Sequence, residues 1–254
     1  MNDLPVREYL SYGRLCVEDY QYVINDLIGE LPAQSKILEI GTGKSVAVPC
    51  LLAAEGHDVI SLDRFNNVGD IPSAMIEVCS ALKLHYEQVS EFTFNVSGSR
   101  VEFVHEPVES YMPRLEACFD LVVSRATLEH FSNLAAGVNR LAEYTVPGGL
   151  HVHEIDHRDH GIFSHSKLVS NMWFHSISAA VWTPLLNYFP GLPNKQNATQ
   201  CRLIFEAAGI RTARHYLRQY PSNYEFTPLD KQPDADHDSP VTIYIGRRLC
   251  SGSA

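Results

Sequence analysis

The densest run of reactive side chains in the sequence is His151-Val152-His153-Glu154-Ile155-Asp156-His157-Arg158-Asp159-His160. So many ionisable groups around one apolar stretch are costly to bury unless they pair or line a cavity. Imidazoles titrate near neutral pH and suit proton removal from a hydroxyl, a contribution of typically ~10²–10⁴-fold. His157 and His160, with His130 upstream, are the candidate general bases, and Asp156 or Asp159 the orienting carboxylate. The same residue types suit Zn²⁺ or a similar ion. Their spacing matches no compact metal motif, so no metal is assigned. A third reading is structural: histidines held by carbonyls and by Glu154 or Asp156.

A second stretch, Ser35-Lys36-Ile37-Leu38-Glu39-Ile40-Gly41-Thr42-Gly43-Lys44-Ser45, has the form of a buried strand, a tight glycine turn and a helix start. Such a turn lets backbone approach a ligand and presents unpaired N–H groups to it. Gly43-Lys44-Ser45 matches the end of a P-loop, but that motif needs a glycine where Leu38 stands. A dinucleotide fingerprint finds Gly41, Gly43 and, further on, the acidic Asp63, but Val46 replaces its third glycine. The remaining ligand is a nucleoside without phosphate that carries an amino acid. Glu39 can face an α-amino group, and Asp63 can accept from both ribose hydroxyls. This pairing fits S-adenosylmethionine.

Both stretches must be positioned by a scaffold. Residues 6–30 have helical apolar spacing, ended by Gly29 and Pro32. This helix packs on the sheet or forms a lid with Tyr12 or Arg14 reaching in. Strands are expected at Lys36–Ile40, Asp58–Leu62, Val101–Val104, Phe119–Val123 and Leu150–Ile155. Helices are expected over Val46–Glu55, Pro72–Val89 and Leu134–Tyr144, with a turn at Asn95–Ser99 and a stop at Pro147-Gly148-Gly149. Strands alternating with helices indicate a doubly wound α/β sheet. Residues 157–198 are rich in His, Trp, Phe, Asn and Pro and read as a helical cap inserted after the fifth strand. Trp173 and Trp182 either line an acceptor pocket or pack the cap. A core helix at Thr199–Ala208 and strands at Ile210–Leu217 and Val241–Arg247 complete a single domain spanning 1–254. Residues 1–34 form its N-terminal helical segment, and 221–240 a surface connection.

The chain has 254 residues, 45% of them hydrophobic, which suffices for one sizeable core. A net charge of −10 argues against a general nucleic-acid binder. The N-terminal residues carry no signal-peptide pattern, and no apolar run is long enough to cross a bilayer. The 6 cysteines are scattered without a C-x-x-C and read as reduced thiols, so a cytoplasmic protein is expected. The N-x-[ST] triplets at Asn95 and Asn197 read as chance.

Glu39-Ile40-Gly41-Thr42-Gly43, Asp63, Phe119-Asp120-Leu121-Val122-Val123-Ser124, Leu128-Glu129-His130 and Pro147-Gly148-Gly149 resemble, in order, the motifs of class I S-adenosylmethionine-dependent methyltransferases. The resemblance covers roughly residues 35–155 and, more weakly, the last two strands. It implies a seven-stranded, mostly parallel Rossmann-like sheet, with the last strand antiparallel between the fifth and sixth. By position, Glu39, Gly41, Thr42 and Gly43 would hold the methionine part, Asp63 the ribose, and Arg64 and Glu106 or Val108 the adenine. Ser124 and Arg125 would lie beside the sulfonium. Metal-dependent catechol-type relatives have an aspartate where Ser124 stands.

The acceptor is expected to be a small molecule, methylated at a hydroxyl, with Tyr12, Asp156, Trp173 and Trp182 facing it. Methylation at nitrogen, and cofactor binding without methyl transfer, are the alternatives. No nucleic-acid or membrane partner is expected, and a homodimer is compatible with the sequence.

Overall fold

The computed structural model describes residues 6–111, 118–160, 170, 172–189, 191–218, 226–228 and 241–249. They form two compact units. One spans Met1–Val123 and Glu143–Leu150, the other Ser124–Ala142 and His151–Ala254. Strands alternate with helices, and β-strands at the centre pair in parallel, so the architecture is α/β.

The first unit begins with α1 (Val6–Ile28), β1 (Lys36–Ile40), α2 (Ala47–Ala54), β2 (Asp58–Asp63) and α3 (Ile71–Leu82). It continues through β3 (Tyr86–Ser90), β4 (Thr93–Val96), β5 (Ser99–His105) and the start of β6 (Phe119–Arg125). α4 (Leu134–Tyr144) leads back into its last strand, the start of β7 (Thr145–Asp156). The strand order is β3-β4-β5-β2-β1-β6-β7. β1, β2 and β5 are parallel, and Ile40 lies opposite Leu62 and Asp63 opposite His105. Ile37, Leu38, Val59, Leu62, Leu121 and Val123 are buried, as expected of strands covered on both faces. Side chains also fix the strand entries: the Lys36 N–H donates to Asp120 Oδ2 and the Arg100 N–H to Asp58 Oδ1, both at 2.8 Å.

α1 and α2 pack closely because Gly13 has no side chain. A Cβ there would sit 2.6 Å from Ala47 Cβ. The glycine in the first helix is thus a contact point, a role invisible to its apolar spacing.

The second unit carries the end of β7, then α5 (Ala179–Tyr188), α6 (Ala198–Ala207), β8 (Ile210–Arg218), β9 (Phe226–Pro228) and β10 (Val241–Arg248). Its strand order is β7-β10-β8-β9. β10 pairs antiparallel with β8 and so lies between β7 and β8, as the resemblance implies. The register shifts between Ile245 and Gly246. A Cβ on Gly246 would meet the Tyr244 hydroxyl at 2.6 Å, so a side chain there would have to displace the buried Tyr244 ring. α6 is started by a capping box between Asn197 and Gln200 and buries Phe205, which stacks on Tyr244 at 4.2 Å and on His153 at 5.1 Å.

Several expectations are corrected. The helix expected over Pro72–Val89 ends at Leu82, because Lys83 adopts a left-handed cap with φ 58°. Tyr86–Ser90 instead forms an edge strand, and the turn expected at Asn95–Ser99 narrows to Ser97-Gly98 between β4 and β5. With this hairpin and the short β9, the described residues form ten strands, not seven. Pro147-Gly148-Gly149 lies inside β7 instead of ahead of it. In the expected cap, a 3₁₀ turn at Trp173–Ser176 precedes α5. Residues 161–169, 171 and 190 of that cap, and most of the 221–240 connection, lie outside the described residues.

Candidate active site

In the first unit the β1–α2 turn is built as the glycine spacing requires. Gly41 and Gly43 have φ of 87° and 63°. The Gly41 N–H donates to the Leu62 carbonyl at 2.8 Å, which ties the turn to the end of β2. Asp63 completes the tie. Its Oδ2 accepts from the Gly43 N–H at 2.9 Å and its Oδ1 from the Phe65 N–H at 3.0 Å. An ionised carboxylate offers about four lone-pair sites, so each oxygen retains acceptor capacity for a hydroxyl.

Glu39 lies beneath the turn, 4% exposed. The Ser61 hydroxyl donates to its Oε2 at 2.5 Å, and the Thr42 hydroxyl lies 2.5 Å from Ser61. Burial pushes the Glu39 carboxyl up to about 7. The Ser61 bond opposes this, and the Asp63 charge adds to it. An acid so placed gains by meeting a cation, which restores the charged form. Arg64 is exposed and lies over the Phe65 ring at 5.4 Å. Glu106 is exposed, while Val108 is buried and its carbonyl accepts from the Tyr144 hydroxyl at 3.0 Å. Tyr12, on α1, is 46% exposed. A cleft of about 780 Å³, lined among others by Tyr20, Ile24, Pro32 and His57, lies where β1 and β2 begin, away from the glycine turn.

In the second unit the polar run of β7 is resolved into pairs. Ser124 Oγ lies 2.8 Å from His153 Nδ1, and His153 Nε2 lies 3.2 Å from His151 Nδ1. Both rings are fully buried. Burial holds His151 down at about 3 and His153 well below its ordinary value, so both are neutral at physiological pH. Arg125 pairs with Glu154 at 3.3 Å, both side chains 7% exposed. Burial pushes the Asp156 carboxyl up, but its bonds from Arg158 outweigh this and hold it below the usual carboxylate range.

The three candidate bases are not equivalent. His157 is 3% exposed, with Nδ1 donating to the Gln196 carbonyl at 2.8 Å and Nε2 3.0 Å from the Thr242 hydroxyl. Both ring nitrogens are engaged, so His157 anchors the segment before α6. His130 and His160 instead meet edge to face, ring centres 4.9 Å apart. With Glu129 they form a group whose ligating atoms lie within 4.8 Å of one another. His160 Nε2 is 3.8 Å from Glu129 Oε1. Burial first, then the His160 charge, hold the His130 imidazole below its ordinary value. Burial pushes Glu129 well above the carboxylate range, helped by the charges of Asp156 and Glu154.

Local backbone sets this arrangement. Ala126 and His160 both have left-handed φ, 48° and 53°. The Ala126 N–H donates to the Glu154 carbonyl at 3.0 Å. Leu128–His130 is a 3₁₀ turn, held by Asn194, whose side-chain amide donates to the Leu128 and Phe131 carbonyls. Of the expected acceptor-facing aromatics, Trp182 is 2% exposed, donates to the Pro193 carbonyl and packs on Phe174 at 5.4 Å; Trp173 is 46% exposed. Glu129 stands inside a motif the sequence displays, but no role is assigned to it there. Its signal is a carboxylate between apolar Leu128 and a histidine. Ser61 carries no sequence signal of its own.

The methyltransferase-domain family matches residues 10–214. The chain belongs to that family. It is a class I S-adenosylmethionine-dependent methyltransferase. No curated protein matches it in sequence. Its fold is similar to that of an S-adenosylmethionine-dependent methyltransferase from Methanosarcina mazei, at 13% identity, TM-score 0.56, covering 90% of this chain and 98% of that one. It is also similar to a putative methyltransferase from Bacillus halodurans (14%, 0.56, 92% and 100%). A putative sarcosine dimethylglycine methyltransferase from Galdieria sulphuraria is a third (12%, 0.55, 92% and 86%). At such identities the likeness bears on the fold alone.

Proposed function

We propose that this methyltransferase acts on a hydroxyl of a small-molecule metabolite. In this reading Glu39, Gly41, Thr42 and Gly43 hold the methionine part of the cofactor and Asp63 its ribose. Arg64, Glu106 and Val108 flank the adenine, and Ser124 and Arg125 lie toward the sulfonium. Two features of this chain fit such a ligand. Glu39 is a buried carboxyl with no cation against it among the described residues, and Asp63 retains acceptor capacity at a turn with no phosphate cradle. The bound cofactor supplies an electrophilic methyl group.

A hydroxyl acceptor must lose its proton. The observation that carries this reading is the Glu129–His130–His160 corner. There an imidazole kept neutral by burial stands beside a second imidazole and a carboxyl. A neutral ring nitrogen accepts a proton, and the second imidazole and the Glu129 carboxyl beside it orient that ring. His130 and His160 are the proposed bases, with His157 positioning the chain behind them. Asp156, Tyr12, Trp173 and Trp182 are the proposed acceptor contacts. A cytoplasmic location is part of the same reading.

Calorimetry with S-adenosylhomocysteine should show binding that Asp63→Ala abolishes. Turnover on a library of hydroxylated acceptors, read as S-adenosylhomocysteine formed, should fall at least ~10²-fold in His130→Ala and His160→Ala. Turnover on amines alone, or unchanged turnover in both variants, overturns the hydroxyl reading.

A further inference from the structure

The Glu129–His130–His160 corner leaves polar atoms stranded. Glu129 is 2% exposed, yet among the described residues its buried Oε2 has no hydrogen-bond partner, and neither has His130 Nδ1. A buried polar atom without a partner costs about 1–3 kcal/mol, and native proteins hold few of them. Two fall here on adjacent residues of one three-residue group. The direct contact within the group is also loose: 3.8 Å between His160 Nε2 and Glu129 Oε1 is too long for a hydrogen bond.

We propose that Glu129, His130 and His160 bind one divalent transition-metal ion of the Zn²⁺ type. The ligating atoms lie within 4.8 Å of one another. With bonds of ~2.0–2.2 Å, tetrahedral zinc ligands stand about 3.3–3.5 Å apart. Closing the group onto an ion therefore takes movements of about 1.5 Å or less, available to His160, whose side chain is 30% exposed. Two imidazoles and one carboxylate suit zinc or ferrous iron and not calcium or magnesium, which prefer oxygen alone. Three protein ligands leave a coordination position open, as catalytic sites do. The backbone is committed to the arrangement. His160 holds a left-handed φ of 53°, and Asn194 clamps the 3₁₀ turn that presents Glu129 and His130.

The role of such an ion rests on the hydroxyl reading above. With an ion bound, His130 and His160 would serve as its ligands in place of free bases, and the ion would supply Lewis-acid chemistry, making a hydroxyl in the open position more acidic so that it gives up its proton to water. Binding of the ion does not rest on that reading, and the two are tested apart.

Full-length protein, free of any affinity tag and stripped with a chelator, is mixed with Zn²⁺ and gel-filtered, and bound metal is counted. One equivalent is expected to remain, and Co²⁺ in its place should give tetrahedral visible bands. His160→Ala, at an exposed residue, should keep its circular dichroism and lose at least tenfold in Zn²⁺ affinity. His130→Ala should do the same, while His85→Ala, a surface control, should bind as the parent does. Retention of no Zn²⁺ by the parent, or equal retention by His160→Ala, overturns the site. Should His130→Ala not fold, His160→Ala decides alone. Turnover of the hydroxylated acceptors by the parent protein tests the hydroxyl reading. Its failure leaves the zinc result standing, and the zinc result leaves it untouched.

Discussion

Glu39 offers a test in which stability and cofactor binding move in opposite directions. Its carboxyl has an ordinary value of 4.5 and is pushed up to about 7 in the fold, burial being the largest cause. A carboxyl raised in this way binds its proton more tightly when folded. The fold therefore carries no penalty below about pH 4.5, and the penalty grows with pH until it levels off above about 7. Each tenfold change in acidity is worth about 1.4 kcal/mol, so the full penalty is about 3 kcal/mol at pH 8 and under about 1 kcal/mol at pH 5.

Glu39→Gln keeps an acceptor for the Ser61 hydroxyl and removes the charge. It should stabilise the free protein at pH 8 by about 2–3 kcal/mol, a rise in Tm of about 5–10 °C, and by far less at pH 5. Cofactor binding should respond in the opposite sense. Loss of a charge-assisted contact to the α-amino group costs about 1.5–3 kcal/mol, or about 10–150-fold in Kd for S-adenosylhomocysteine. In the parent the same Kd should fall about tenfold per pH unit from pH 5.5 to 7 and then level off. Scanning calorimetry at both pH values and titration calorimetry across the range read all three quantities. Equal Tm shifts at pH 5 and 8, or unaltered cofactor affinity in Glu39→Gln, would refute the buried-carboxyl argument.

Two further substitutions test the scaffold. Gly13→Ala places a Cβ 2.6 Å from that of Ala47; it should destabilise by about 1–3 kcal/mol through overpacking, seen as a lower urea midpoint with an unchanged slope. Asn197→Ala removes the side-chain half of the α6 capping box and should cost about 1 kcal/mol by the same measurement.

The parts of the fold legible in the sequence are those written in runs and turns. The apolar run Ile37–Ile40, the acidic ends Glu39 and Asp63 and the glycines between them mark the β1–α2–β2 unit, because parallel strands buried on both faces leave no alternation to misread. The β3–β4 hairpin is illegible for a comparable reason. Nothing marks Lys83 as a left-handed cap, so the polar, mostly exposed strand Tyr86–Ser90 continues the helical spacing of α3. Gly13 and Gly246 are constrained by what lies across from them, which no local pattern records.

The candidate site divides along the same line. The histidine-rich end of β7 announces chemistry, but the sequence cannot apportion it. His151 and His153 are absorbed into a buried neutral chain with Ser124, His157 is spent on Gln196 and Thr242, and Glu154 on Arg125. What remains is His160, thrown out of the strand direction by its left-handed backbone toward Glu129 and His130 in a turn much earlier in the chain. A compact ligand motif needs its residues close in sequence. Here the distance is bridged by Asn194, which reaches back to the Leu128–Phe131 turn. The chemistry of this corner therefore depends on a residue that itself offers no base and no ligand, and Asn194→Ala should loosen it without altering any of the three side chains that meet there.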